Sequence, residues 1–355
     1  MDFEQYKREF SELASSVGYT EQNIQRCLNY AKPLLDKKIP VIYNTSNLSN
    51  LVGYKKEYLK RAVRYTSSYY RDFEIVKSNG GKRKISEPLP SLKEIQIWIL
   101  DNILSQITVS AYAKAYRPNV TLIDNLKFHK NQPKVLTIDL KDFFSSIKQN
   151  SIEKIFLEMG YSKLISNLLS KLCTRDDCLP QGAPTSPCLS NIFFIPLDNE
   201  ISKYCNNSKI RYTRYADDLS FSGNFDENAL SKFVEQIVVN AKLLINPEKV
   251  KLMKKNTRQE VTGIVVNEKA QVVFYKRNKI RQDIFYIKKF GLDDHIKHTQ
   301  INKSNYLEHI IGKVNFILHI NPLDKEFIDY KSYLYQLKNK SNTFKSSDLR
   351  SLPEE

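Results

Sequence analysis

No stretch of these 355 residues stays apolar for anything near the roughly 20 positions that a helix needs to cross a bilayer. Where a secretory leader would have an apolar core, the first residues carry Asp2, Glu4 and Lys7, so the expectation is a cytoplasmic protein with no membrane association. Cysteine is scarce and unpaired in pattern. Cys27, Cys173, Cys178, Cys188 and Cys205 are odd in number and lack a Cys-x-x-Cys spacing, which argues against a disulfide framework and against structural zinc. The five histidines form no nuclease-like His-x-x-x-His pattern. Negative charge is also in short supply, with 39 Asp and Glu against 55 Lys and Arg and a formal net charge of +16. That balance implies attraction to phosphate backbones. The 21 Tyr and 18 Phe add stacking surfaces, although most of them serve a core.

The few acidic residues are concentrated where they are expensive. Tyr215-Ala216-Asp217-Asp218 places adjacent carboxylates in a tight hairpin between Ile210, Tyr212 and Arg214 on one side and Leu219, Phe221 and Gly223 on the other, with Ser220 and Ser222 on the opposite face. Adjacent aspartates repel unless a cation sits between them, and a hard divalent ion is the usual answer; a solvated acidic turn is the alternative. Upstream, the apolar run Val135 to Leu140 contains Asp139 near its end, followed by Asp142, Phe143 and Phe144. Two strands delivering Asp139 and Asp217 to one place would supply carboxylates for two-metal phosphoryl transfer, with ions about 3.5–4 Å apart. Sequence alone does not make the two strands neighbours.

Asp139 to Phe144, then Leu179-Pro180-Gln181-Gly182-Ala183-Pro184-Thr185-Ser186-Pro187, then Tyr215 to Asp218, resemble the three central palm motifs of reverse transcriptases in order and spacing. Asn125-Leu126-Lys127-Phe128-His129 resembles the retron Asn-Ala-x-x-His element, with Leu126 in place of alanine, and Val261-Thr262-Gly263 matches the retron Val-Thr-Gly element. The chain is thereby identified as similar to bacterial retron reverse transcriptases from about Lys82 to Gly263. The resemblance implies an α+β right-hand polymerase fold of fingers, palm and thumb, with an antiparallel palm sheet backed by helices and a helical thumb. It implies that Asp139, Asp217 and Asp218, with the Leu140 carbonyl, hold two Mg²⁺ ions. The incoming dNTP would meet Lys82, Arg83, Asp142, Gln181, Gly182 and Lys249, with Phe144 as a steric gate against the 2′-hydroxyl. Asn125, His129, Val261, Thr262 and Gly263 would recognise a cognate noncoding RNA that is both template and primer. The DNA product would be joined to RNA by a 2′,5′ branch. A separate effector protein in phage defence is a further implied partner.

The expected division is an N-terminal helical extension and fingers (1–90), a first palm part (91–147), a fingers insertion (148–184), a second palm part (185–272) and a thumb (273–355). Within it, residues 1–65 read as helical, with Leu28, Ala31, Leu34 and Leu35 on one face interrupted by Pro33. The Asn79-Gly80 step marks a basic hairpin tip with Lys77, Lys82, Arg83 and Lys84, and Ser91 to Glu94 reads as a capping box. Further helices are expected over 152–172, from Ser186 until Pro196 limits or kinks it, and over 229–245, with a hairpin pairing 262–266 against 271–274. Tyr306, Ile310, Val314, Ile317 and Leu318 form one helical face, on which Gly312 and Phe316 resemble a thumb helix that follows duplex. Three readings stay open on sequence: a retron enzyme, an abortive-infection or intron-type reverse transcriptase, and a palm-fold RNA-binding scaffold with vestigial activity.

Overall fold

The computed structural model describes residues 2–76, 80–300 and 305–348, with side chains as far as Asn339. Four helices lead the chain: α1 (Phe3–Ser16), α2 (Glu21–Asp36), α3 (Thr45–Val52) and α4 (Lys56–Arg64). The first three begin at side-chain caps, Asp2, Thr20 and Asn44, each accepting from a backbone amide three residues on. Pro33 does not interrupt α2. It faces solvent close to the helix end, where one lost hydrogen bond costs little beside the buried Leu28, Ala31 and Leu34.

Strands β1 (Tyr70–Val76) and β2 (Lys82–Pro88) form an antiparallel hairpin in the register Tyr70↔Pro88 to Val76↔Lys82. Lys77 and Asn79 of its expected tip lie outside the described residues. In α5 (Pro90–Asn102) the capping box does not form, because Leu89 is the N-cap and Pro90 takes the first helical position that suits its fixed φ. Ser91 and Glu94 instead face Tyr58 and Tyr54.

Next come α6 (Leu122–His129), β3 (Lys134–Lys141), α7 (Phe143–Ser146), α8 (Gln149–Met159) and α9 (Lys163–Cys173). The single helix expected over 152–172 is two, since Gly160 at φ 111° ends α8 and the Ser162 side chain caps α9. Likewise α10 (Ser186–Phe193) stops and Pro196 opens α11 (Ile195–Asn207). Strands β4 (Arg211–Tyr215) and β5 (Asp218–Gly223) make the acidic hairpin. The next helix, α12 (Glu227–Asn240), is shorter than expected. Lys242 turns the chain at φ 60°, and β6 (Leu244–Ile245) pairs antiparallel with the end of β3, Leu140↔Ile245 and Lys141↔Leu244. The sheet order is β4-β5-β3-β6, with α11 packed on β4 and α12 on β6, an α+β architecture.

The remaining elements are β7 (Lys251–Lys254), β8 (Glu260–Val261), β9 (Ile264–Val265), β10 (Gln271–Val272), α13 (Phe274–Phe290), α14 (Leu292–Thr299), α15 (Tyr306–Ile320) and α16 (Lys325–Asp348). The chain divides into two compact units. One comprises Met1–Thr121, Thr137–Leu219 and Phe225–Val250, and the other Leu122–Leu136, Ser220–Asn224 and Lys251–Glu355. In the second, Val261, Ile264 and Val272 share a core with Ile284 of α13 and with Ile310, Val314 and Ile317 of α15. The expected 262–274 hairpin is partly there, as Gln271↔Val265 and Val272↔Ile264. Thr262 and Gly263 are not strand. With φ 48° and 76° they are the two-residue turn joining β8 to β9, and Phe274 already starts α13. No helix among the described residues is long and apolar enough to cross a membrane.

Candidate active site

Asp217 sits at the turn between β4 and β5, beside Ala216 at φ 58°, and Asp218 starts β5. Burial between paired strands brings Asp139 to the same place. The Leu140 amide donates to the Asp217 carbonyl at 3.0 Å, and the Asn246 amide donates to the Asp139 carbonyl at 2.8 Å. The Asp139 side chain faces Lys249, whose Nζ donates to both carboxylate oxygens at 2.9 Å. This ion pair holds the Lys249 ammonium above its ordinary pKa. Asp217 is pushed upward, first by burial and then by the charge of Asp139. Asp218 is pushed up to about 7 by burial and by the charges of Asp217 and Asp139.

Three carboxylates drawn to one place, with one lysine against Asp139, are a donor set suited to a hard divalent cation. No three His, Cys, Asp or Glu side chains among the described residues close into a ready-made metal cage.

Beneath the turn lies a buried polar network that the strand alternation did not reveal. Arg214, with no exposed surface, donates to both Asp198 oxygens at 3.0 and 2.8 Å, to Asn191 Oδ1 at 3.1 Å and to the Ala216 carbonyl at 3.1 Å. Its guanidinium lies 4.2 Å from the Phe194 ring centre, and the Tyr212 hydroxyl donates to Asp198 at 2.7 Å. The Ala216 carbonyl, between the strand and the aspartates, is thus fixed by a charged donor. An arginine two residues from a buried tyrosine on an inward-facing strand was the available signal.

On the basic hairpin the side chains separate by face. Lys82 pairs with Glu74 at 2.7 Å and Lys84 with Asp72 at 3.0 Å, while the charge of Arg83, between them, reaches Asp217 and the Tyr116 hydroxyl. Gly182 has a close neighbour within the protein itself. At φ 130°, a Cβ there would lie 2.8 Å from the Ser86 carbonyl oxygen and 2.9 Å from Ile85 Cγ2, and the Ser86 amide donates to the Gln181 carbonyl at 2.8 Å. The close neighbour is therefore β2 itself. Phe143 is core, whereas Phe144 is half-buried with its ring centre 6.3 Å from that of Tyr116. Asp142 is exposed at the start of α7.

The remaining expected residues lie in the second unit. Asn125 and His129 on α6 have no exposed surface, and His129 Nδ1 is 2.8 Å from Ser222 Oγ. Val261 is core, Thr262 is half-buried and Gly263 is exposed at the turn.

The model of the family described as "Reverse transcriptase (RNA-dependent DNA polymerase)" matches residues 75–266. The Retron Ec86 reverse transcriptase of Escherichia coli is 32% identical over 289 residues, covering 80% of this chain and 86% of that protein. The Retron Ec83 reverse transcriptase of the same species is 28% identical over 283 residues, covering 75% and 87%. Among solved structures, telomerase from Candida tropicalis in complex with a fragment of telomeric RNA is similar at a TM-score of 0.45 and 14% identity, over 80% of this chain and 58% of that one.

Proposed function

The chain belongs to the retron reverse transcriptases, RNA-directed DNA polymerases of the right-hand fold, and from that premise we infer that it copies a structured noncoding RNA, its own template and primer, into a branched RNA-linked single-stranded DNA (msDNA). The observation that carries the catalytic part is the convergence of Asp139, Asp217 and Asp218 from β3 and the β4–β5 turn, with Lys249 against Asp139.

Reverse transcriptases work with a divalent metal and dNTPs; here two Mg²⁺ ions would be held by Asp139, Asp217 and Asp218, with the Leu140 carbonyl as a further oxygen. Bound there, metal lowers the pKa of the attacking hydroxyl and offsets triphosphate charge. The primer hydroxyl gives its proton to water as its oxygen bonds to the α-phosphorus, the bond from that phosphorus to the bridging oxygen of the β-phosphate breaks, and pyrophosphate leaves with that oxygen. Arg83 binds the phosphates from the exposed hairpin, with Lys82, Asp142 and Gln181 at the rim. Gly182 acts at one remove by seating β2. Phe144 closes the space a ribose 2′-hydroxyl would need. Lys249 turns from Asp139 to the leaving pyrophosphate, its Nζ carrying the proton.

Asn125 and His129 shape the RNA-reading surface from within by holding α6, and the exposed Thr262–Gly263 turn touches RNA. The extension, fingers, palm and thumb follow the boundaries at 90, 147, 184 and 272. A separate effector protein joins the ribonucleoprotein in phage defence. Two tests divide the reading. Asp217→Asn abolishes synthesis without changing the fold, and retained synthesis overturns the catalytic assignment. Nucleic acid purified with the protein, treated with RNase and debranching enzyme, yields a branched RNA–DNA species; free DNA points to another class of reverse transcriptase, and RNA alone to a scaffold.

A further inference from the structure

Tyr116 occupies a backbone conformation that a bulky side chain avoids, at φ 58°, and is half exposed. A strained aromatic persists only when its surroundings over-determine it, and such strain collects at ligand sites. Its neighbours are pinned on both sides. The Ala115 carbonyl accepts from Asn191 Nδ2 at 2.9 Å, and the Arg117 guanidinium donates to the Ser110 and Ala113 carbonyls, both at 3.1 Å. One residue further back, the Lys114 amide donates to the Arg214 carbonyl at 2.7 Å, so the loop is stitched to the strand that carries the catalytic turn.

What this holds in place is a ring facing Phe144, with centres 6.3 Å apart and planes at 46°. The two rings stand at an angle to one another, Tyr116 half exposed and Phe144 half-buried. The Tyr116 hydroxyl feels the charges of Asp217, Tyr215 and Arg83, which lie on two other elements. Burial and the charge of Asp217 raise its pKa, keeping the phenol protonated and able to donate at neutral pH.

We propose that Tyr116 is a second specificity-determining residue of the nucleotide pocket, its ring completing with Phe144 the wall against the deoxyribose and its hydroxyl donating to the triphosphate beside Arg83. The proposal rests on the polymerase reading above, and strain is the cost of aiming the ring inward. Neither ring alone completes that wall, so sugar selection is shared between α7 and this loop.

The test is steady-state extension of an annealed oligonucleotide primer, which removes RNA-dependent priming from the readout. Tyr116→Phe removes one donor to a charged acceptor and raises the dNTP KM about tenfold, more than it lowers kcat. Tyr116→Gly relieves the strained φ, so the melting temperature holds or rises while the dNTP KM increases and discrimination against rNTPs falls. A role in folding alone gives the opposite pattern. Wild-type KM and rNTP discrimination in both variants overturn the proposal. A shift in Phe144→Ala discrimination with none at Tyr116 leaves the polymerase reading intact while the inference fails; synthesis by Asp217→Asn removes the reading itself.

Discussion

Replacing Arg214 by Met takes one partner from an ion pair with no exposed surface and leaves the Asp198 carboxylate buried against Tyr212. Breaking such a pair from one side costs about 3–5 kcal/mol, because the remaining charge keeps its desolvation penalty. At roughly 2–4 °C per kcal/mol for a unit of this size, melting falls on the order of 10 °C. Removing the charge altogether reverses most of that loss. In the triple variant Arg214→Met, Asp198→Leu, Tyr212→Phe the carboxylate and the hydroxyl that served it are gone, and an apolar cluster of similar volume stands in for them, so stability returns to within about 1–2 kcal/mol of wild type. Activity does not follow. The Ala216 carbonyl still lacks the donor that sat 3.1 Å away, and the turn bearing Asp217 is free to shift. A displacement of about 1 Å at a reacting centre costs about 10²-fold, so primer extension stays depressed by that factor in both variants. Calorimetry and extension on an annealed primer measure the two quantities separately. If they recover together in the triple variant, Arg214 serves only stability, and if the single variant melts within about 2 °C of wild type, the pair is not the buried one described.

Phe144→Val opens the sugar side of the pocket and admits ribonucleotides, measured as the ratio of dNTP to rNTP kcat/KM; an unchanged ratio removes Phe144 as the gate. The double change Thr262→Ala, Gly263→Asn keeps a residue tolerant of positive φ at the β8–β9 turn, so the fold survives. Synthesis from the cognate RNA is lost while oligonucleotide extension continues; loss of both means that the turn is only structural. His295 is buried, stacked on Tyr286 and 3.1 Å from the Tyr306 hydroxyl, and desolvation lowers its pKa against the weaker pull of Asp283. Its contribution to stability is complete above the unfolded value of about 6.5 and is lost as pH falls through the lower folded value. Melting scans from pH 8 to 5 therefore show a decline that His295→Gln flattens, and parallel curves for the two proteins would rule that out.

The carboxylates of the candidate site were legible in the sequence because their signal is local. Asp139 interrupts an apolar strand, and Asp217 occupies a two-residue turn between alternating runs, so a single window holds the cost and its reason. The pairing of Arg214 with Asp198 was not legible, since a helix residue and a strand residue 16 positions apart meet only once α11 packs on β4. The short β6 was hidden for a related reason. Leu244 and Ile245 continue the apolar spacing of α12, and only the turn at Lys242 and the open edge of β3 convert them to strand. The capping box failed because Pro90, one residue before Ser91, claims the first helical position more strongly than a serine claims the cap. Serines 220 and 222 were placed on the face opposite Leu219 and Phe221, and that face is buried too, Ser222 against His129, so alternation there reported polarity without exposure.

The seam between β2 and the Gln181–Gly182 loop is made by one amide on one carbonyl and by the absence of a side chain. Such a joint does not register which charges β2 displays. Lys82, Arg83 and Lys84 can be exchanged for other charges, or for none, without loosening the strand from the loop. The location of the strand and the chemistry it presents are thus separately adjustable, so charge swaps along it test the proposed phosphate binding with little interference from misplacement. A methyl group at Gly182 does the reverse, leaving every charge in the protein unchanged and moving the strand that carries three of them.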